Sequence, residues 1–139
     1  RLGQTHLLVC ASADYLERFG TPEHPHELDE HTGLQYSNIS IKQQWTFPVA
    51  GGGECSARPQ IRMRANNGEA LAVAAARGQG VVSGPSFILA PYVRQGQLVE
   101  LLADHRRTPL GIYALYPPGR LMPRRVQLLS DFLSDRFGG

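Results

Sequence analysis

The chain has 139 residues, of which 42% are hydrophobic and 19% charged, and no apolar run approaches the roughly 20 residues that a membrane-spanning helix needs. This composition is typical of a globular domain and excludes a membrane-embedded one. The formal net charge at pH 7 is +2, and the arginines are spread along the chain apart from the pairs Arg106-Arg107 and Arg124-Arg125. These residues therefore lack the dense basic stripe that a DNA-binding surface needs.

Two further features of the whole sequence concern its cysteines and its start. Cys10 and Cys55 lack the spacing of metal ligands, and Cys10 lies in an apolar run, so the pattern favours two reduced, mostly buried thiols over a disulfide. The chain begins at Arg1 with neither a methionine nor a signal-peptide pattern, which indicates a fragment of a longer protein.

The N-terminal part of the chain predicts a strand followed by two short helices. Residues 7–11 form an apolar run that ends at Ser12, a preferred N-cap, and Gly20 ends the helix that Ser12 begins. After two prolines, a second short helix is predicted around residues 26–31, with Leu28 as its apolar anchor.

The next segment predicts further strands. In chain order we expect a strand, a polar loop, a second strand and a flexible glycine turn, at residues 34–37, 38–44, 45–47 and 51–53. Ile61 and Met63 then alternate with arginines in a strand that leads to Asn66.

A capped helix follows that strand. Asn66 or Asn67 can cap it, the alanines within residues 70–76 give it strong helix propensity, and Gly78 suits the left-handed position at its end.

A short buried strand and a second helix start come next. Val81 and Val82 form the strand, which we expect to pair in parallel with the strand before the first helix, and Ser86 begins the second helix behind Pro85. Two helix N-termini therefore point toward one place. Because backbone N–H groups are free at such helix starts, this segment is a candidate site for a carboxylate or another anion.

The C-terminal part predicts strands at residues 98–102 and 111–116, followed by a helix that starts at Pro123. The helix carries a stripe of apolar side chains that needs a sheet to cover, made of Val126, Leu129, Leu133 and Phe137 with Phe132 beside them. Strands that alternate with helices predict an α/β sandwich of a mixed sheet with helices on both sides.

These motifs, taken in their order, resemble the effector-binding domain of LysR-type transcriptional regulators over nearly the whole chain. In the first half the resemblance is carried by Leu8-Val9-Cys10-Ala11-Ser12, Tyr15-Leu16, Gly20-Thr21-Pro22, Pro25, Leu28, His31 and Trp45-Thr46-Phe47. In the second half it is carried by residues 66–87, Gly96-Gln97-Leu98-Val99, Leu102, residues 112–117, Asp131-Phe132-Leu133 and Arg136-Phe137. Several small matches in one order are more specific than any single one.

The resemblance implies a C-terminal effector-binding domain, truncated at its N-terminal side, with the fold of a type II periplasmic binding protein: a second lobe with a partial first lobe. Residues 1–9 would be a first-lobe remnant and crossing strand, 10–110 the second regulatory lobe, and 111–139 a crossing strand with the first-lobe C-terminal helix. It further implies a small anionic or polar effector between the lobes, DNA contact only through an absent N-terminal winged helix-turn-helix, a homo-oligomeric full-length protein, a cytoplasmic location, and neither cofactor nor catalysis.

The resemblance also implies which residues contact the effector. They lie at the two helix starts and near the crossing strand: Asn66, Asn67, Gly84, Pro85, Ser86, Phe87 and Ser12. The alternative is purely structural, with asparagine and serine as helix caps and Phe87 as a core residue. Tyr36 and Ser37 stand at a strand end, where core and turn roles are favoured over a place in the cleft.

The chain departs from the family pattern at two of these residues and at the neighbour of a third. The family often has aspartate at the position of Asn67, so one acceptor here carries no charge, and it commonly has proline at the position of Ala13. It usually has a larger apolar residue just before Pro85, where Gly84 leaves more room.

Other kinds of site find less support. The glycines within residues 78–84 follow a helix and precede a strand, the reverse of a dinucleotide fingerprint, and they lack the spacing of a nucleophile elbow. His24, His26 and His31 have no cysteine or carboxylate pair to complete a metal site, so we predict surface or capping roles for them and no metal. A fragment of a solute-binding protein for transport is the alternative function.

Overall fold

The structure is a computed structural model that describes residues 1–119 and 121–138. In chain order its elements are β1 (Gly3–Thr5), β2 (Leu7–Ala11), α1 (Ala13–Phe19), a 3₁₀ helix (Pro25–Glu30), β3 (Thr32–Tyr36), α2 (Ile41–Gln44), β4 (Thr46–Pro48), β5 (Glu54–Ser56), β6 (Gln60–Ala65), α3 (Gly68–Ala76), β7 (Val81–Pro85), α4 (Ser86–Arg94), β8 (Val99–Leu101), a second 3₁₀ helix (Ala103–His105), β9 (Leu110–Ile112) and α5 (Arg124–Phe137).

The chain divides into two compact units. The larger unit is His6–Arg107, and the smaller one combines Arg1–Thr5 with Thr108–Gly139. Assigning these units to the two lobes of a binding-protein fold, with the predicted segments 1–9, 10–110 and 111–139, stays a prediction. Arg120 and Gly139, which fall in the last of those segments, lie outside the described residues.

The larger unit is built on a mixed five-stranded sheet with the order β6-β3-β7-β2-β8. β3 pairs in parallel with both β6 and β7, whereas β2 pairs antiparallel with β7 and β8. The predicted pairing of the strands before and after α3 is wrong: β6 and β7 run in the same direction, but β3 lies between them and pairs with both. The mixed α/β class predicted from the sequence is confirmed.

Apolar side chains fill both faces of this sheet because successive strand residues point to opposite sides. One buried cluster joins β2 to α1, the first 3₁₀ helix and the β4–β5 hairpin, through Val9, Ala11, Tyr15, Leu28, Trp45, Phe47, Val81 and Leu101. The other joins β2 to α3 and α4, through Leu8, Cys10, Leu34, Leu71, Ala72, Ala75, Val82, Leu89 and Leu98. The sheet is therefore covered on both sides.

The helix ends follow the cap chemistry read from the sequence. The Ser12 hydroxyl accepts a hydrogen bond from the Tyr15 N–H at 3.1 Å, and Gly20 ends α1 with a φ of 88°. Of the two asparagines, Asn67 is the N-cap of α3, and Gly78 follows this helix with a φ of 78°. These predictions are confirmed.

Two local predictions are wrong, and one strand was not predicted. Residues 38–44 are not all loop, because Ser40 and Gln43 form a capping box that begins α2. β5 was not predicted, and it pairs antiparallel with β4 across the Gly51–Gly53 turn. The strand predicted at residues 111–116 is shorter than expected: β9 ends at Ile112, because its partner β1 has only three residues to pair with it.

The smaller unit consists of the β1–β9 pair and α5. Within the described residues, the predicted stripe of α5 is only partly covered. Val126 and Leu133 are half-buried, whereas Leu129, Phe132 and Phe137 are 56%, 64% and 58% exposed.

The two cysteines are free thiols in different surroundings. Cys10 is fully buried in β2, and this burial, helped by the charge of Glu100, raises its pKa to about 12. Cys55 is half-buried in β5.

Of the two roles predicted for His31, surface or capping, the structure shows capping: His31 is buried, and it is the C-cap of the first 3₁₀ helix, where its N–H donates to the Leu28 carbonyl. The Thr32 N–H donates to the Tyr15 hydroxyl oxygen at 3.1 Å, and that oxygen lies 2.9 Å from His31 Nδ1. The tautomer of the His31 ring decides which of these two atoms donates the hydrogen bond. Burial lowers the pKa of His31 below its ordinary value of 6.5.

This arrangement predicts a loss of stability in acid. Since the folded state resists protonation of His31, the unfolded chain binds more protons, and the free energy of unfolding falls as the pH drops below about 6.5. Urea unfolding at pH 7 and pH 5 measures the loss. His31→Gln, which has nothing to protonate, should lose less between these two values; an equal loss in both proteins would contradict the assignment.

Candidate functional site

A cavity of about 200 Å³ lies in the larger unit where the starts of α3 and α4 approach β7. Gly68, the first residue of α3, lines it from one side, and Gly84, Pro85 and Phe87 line it from the other. Two helix N-termini therefore border one cavity.

The remaining wall is mainly apolar. Its apolar side chains come from β2, the end of β3, the segment between β3 and α2, β7 and both helices, namely Leu7, Tyr36, Ile39, Val82, Leu71, Ile88 and Leu89. A Cβ atom added at Gly84 would lie 3.4 Å from Leu89 Cδ1, which is an ordinary van der Waals distance. A larger residue therefore fits at this position, but its side chain would take up space that glycine leaves open.

The predicted contact residues are divided between this cavity and other places. Gly84, Pro85 and Phe87 line the cavity, and so does Tyr36, for which a core role was favoured. Asn66, Asn67, Ser86, Ser12 and Ser37 do not line it. Whether any of these residues contacts an effector stays a prediction.

Three of the residues outside the cavity have structural partners. Asn67 Oδ1 accepts from the N–H groups of Glu69 and Ala70 at 2.9 and 3.2 Å, so its carbonyl is used by its own helix. The Ser86 N–H donates to the His6 carbonyl at 2.7 Å, which extends the β2–β7 pairing. Ser12 acts as the N-cap of α1.

Arg107 is the polar lining residue that sequence reasoning missed. Its Nη1 donates to the Gln44 carbonyl at 2.7 Å and its Nη2 donates to Ser83 Oγ at 2.6 Å. The guanidinium carbon lies 4.9 Å from the centre of the Phe47 ring, a cation–π distance. The side chain is thus held on three sides by uncharged groups.

No carboxylate neutralises this guanidinium among the described residues, whose side-chain ion pairs are Arg18 with Asp14 and Arg106 with Glu100. Burial away from water lowers the pKa of Arg107 to about 10, which still leaves it cationic at neutral pH. Its neighbour Arg106 makes two 2.9 Å hydrogen bonds to Glu100. The pair Arg106-Arg107 was visible in the sequence, but nothing in it distinguished the half-buried arginine from the paired one.

The remaining histidines do not form a metal centre. His24 and His26 are exposed, as predicted, and their rings stack with centroids 5.6 Å apart, while the His105 ring meets His24 edge-on at 5.8 Å. In the part of the chain that the structure describes, no three side chains of suitable type lie close enough to share a metal ion. Nor is any described helix both long and apolar enough to cross a membrane.

A family model described as the LysR substrate binding domain matches residues 1–138. The chain belongs to this family. Its relatives include an uncharacterized HTH-type transcriptional regulator of Haemophilus influenzae, 32% identical over 94% of this chain and 45% of the relative. The HTH-type transcriptional activator AaeR of Escherichia coli is 31% identical over 99% of this chain and 44% of the activator.

Solved structures give the same family. The regulatory domain of CrgA, a LysR-type transcriptional regulator from Neisseria meningitidis, superposes with a TM-score of 0.82 at 26% identity, covering 98% of this chain and 66% of that one. This chain spans less than half the length of the two curated relatives described above. The comparisons give the transport alternative no support.

Proposed function

We propose that this chain is the effector-sensing part of a bacterial LysR-type transcriptional regulator, and that a small anionic or polar metabolite binds in the cavity between α3, α4 and β7. The observation that carries the proposal is the cavity itself. Its wall contains two helix starts and an arginine without a carboxylate partner, and it lies in a domain of the LysR substrate-binding family. The positive ends of two helix dipoles and a guanidinium all favour a negatively charged ligand.

The proposal gives the ligand a regulatory role. A ligand shifts a conformational equilibrium only by its difference in affinity for the two states, so the cavity must change between the active and inactive forms of the regulator. We assign no catalysis to the chain, because the cavity offers groups that bind an anion and no acid–base pair. The regulator would work in the cytoplasm as a homo-oligomer, as the family resemblance implies.

DNA contact is assigned to another part of the parent protein. The relatives of this chain are named HTH-type regulators, and the chain matches less than half of their length. Its own charge is a formal +2, too small to neutralise several phosphates.

A gel-shift experiment tests this division of labour. Full-length parent protein should retard a fragment of its own promoter at physiological salt, whereas the 139-residue chain at the same concentration should not. Unrelated DNA of equal length serves as the control. Specific retardation by the 139-residue chain alone would overturn the proposal.

A further inference from the structure

Arg107 places an uncompensated positive charge at an apolar cavity. A charge taken out of water is costly unless a group of opposite charge lies close to it. Among the residues that the structure describes, Arg107 contacts uncharged groups: the Gln44 carbonyl, the Ser83 hydroxyl and the Phe47 ring. An anion that enters the cavity would supply the missing counter-charge.

The side chain is also positioned in advance. The two hydrogen bonds at 2.7 and 2.6 Å engage one N–H on each terminal nitrogen of the guanidinium. A guanidinium has five N–H donors, so three are left, and its planar arrangement suits the two oxygens of a carboxylate. Because the guanidinium is already held, little side-chain entropy is lost when a ligand binds.

The rest of the cavity limits the remainder of the ligand. Tyr36, Ile39, Leu71 and Ile88 present apolar surface, and the volume is about 200 Å³. An apolar cavity of about 150 Å³ accepts a benzene ring. The space therefore suits one ring or a branched chain of similar size together with a small charged group.

We propose that Arg107 is the specificity-determining residue of this cavity and selects a small monocarboxylate with a compact apolar body. The inference rests on the proposed function and deepens it, since it names the chemical class of the effector. Arg107 binds the carboxylate, and the apolar wall binds the body of the ligand.

Benzoate and its uncharged isostere benzamide are the probes that test this assignment. Calorimetric titration of the 139-residue chain should show that benzoate binds at least about tenfold more tightly than benzamide, the ratio expected for a hydrogen bond to a charged group. Arg107→Gln should abolish the preference. The matched control is Arg106→Gln, which removes the neighbouring arginine that pairs with Glu100 outside the cavity, and it should keep the preference.

Two further variants keep the test decisive. Arg107→Lys retains the charge but lacks the planar pair of donors, so it should still prefer benzoate to benzamide while binding benzoate more weakly. This variant gives a result even if Arg107→Gln fails to fold. Gly84→Val fills the cavity beside Leu89 and should remove the binding of both probes. Benzoate binding that survives Gly84→Val lies elsewhere and overturns the proposal, as does a preference for benzoate that survives in Arg107→Gln.

Failure of this inference is distinguishable from failure of the proposed function. A wild-type chain that binds neither probe, or both equally well, overturns the ligand class assigned here. It does not affect retardation of promoter DNA by the full-length protein, which tests the regulatory function independently.

Discussion

Replacing Trp45 by alanine is expected to lower the free energy of unfolding by about 3–5 kcal/mol, the usual cost of removing a large buried aromatic side chain. Trp45 has no exposed surface and packs in the cluster that contains Leu28 and Phe47. Its Nε1–H also donates to Gln35 Oε1 at 3.1 Å, and Gln35 is itself only 1% exposed. The alanine variant therefore leaves both a cavity and a buried oxygen that has lost a donor.

The measurement is urea unfolding followed by circular dichroism, because Trp45 is the single tryptophan and the tryptophan fluorescence is lost with it. Trp45→Phe is the matched variant: it keeps an aromatic ring and loses only the hydrogen bond and part of the volume, so its loss should be clearly smaller. If the alanine variant lost less than about 1 kcal/mol of unfolding free energy, the change would be typical of a surface substitution and would contradict this packing.

Gln44→Leu should be nearly as damaging, although it replaces a polar residue by an apolar one. Gln44 is 1% exposed, and its side chain serves three backbone groups. Its Nε2 donates to the carbonyls of Leu34 and Ser83 at 2.9 and 3.3 Å, and its Oε1 accepts from the Tyr36 N–H at 2.9 Å. Leucine satisfies none of them, so we expect a loss of about 2–4 kcal/mol.

Two variants separate the contributions. Gln44→Glu keeps an acceptor for the Tyr36 N–H, but its ionised carboxylate faces the carbonyls of Leu34 and Ser83, so at neutral pH it should destabilise at least as much as Gln44→Leu. At lower pH the protonated acid can donate one hydrogen bond, and part of the loss should be recovered. Gln43→Leu removes the exposed neighbour, whose side chain takes part in the capping box with Ser40, and should cost about 1 kcal/mol or less. Equal losses for Gln43→Leu and Gln44→Leu would show that the three buried bonds contribute nothing.

The parts of the fold that were predictable depend on chemistry within a few residues. Ser12, Gly20, Asn67 and Gly78 each act at a helix end through their own side chain or backbone freedom, and each lies where the sequence predicted it. α2 was missed even though its signal is equally local. Ser40 and Gln43 have the spacing of a capping box, but the surrounding polar residues favoured a loop.

The parts that were not predictable depend on residues far apart in the chain. The insertion of β3 between β6 and β7 is not encoded in any single strand, since each strand carries only its own alternation of buried and exposed residues. The cavity wall likewise depends on contacts between residues that are far apart in the chain. Gly84, Pro85 and Phe87 were identified from the family resemblance, whereas Arg107 reaches the cavity through contacts with Gln44 and Ser83, which are distant in sequence.

The different surroundings of the two thiols make the wild-type sequence suitable for single-site labelling. A maleimide dye reacts with a thiolate, and Cys10 is sealed within its strand with a pKa of about 12, so the dye attaches at Cys55. Cys55 stands opposite Phe47 in the β4–β5 hairpin, and the Phe47 ring lies beneath the Arg107 guanidinium. A fluorophore there labels the β4–β5 hairpin at a single position without engineering the chain.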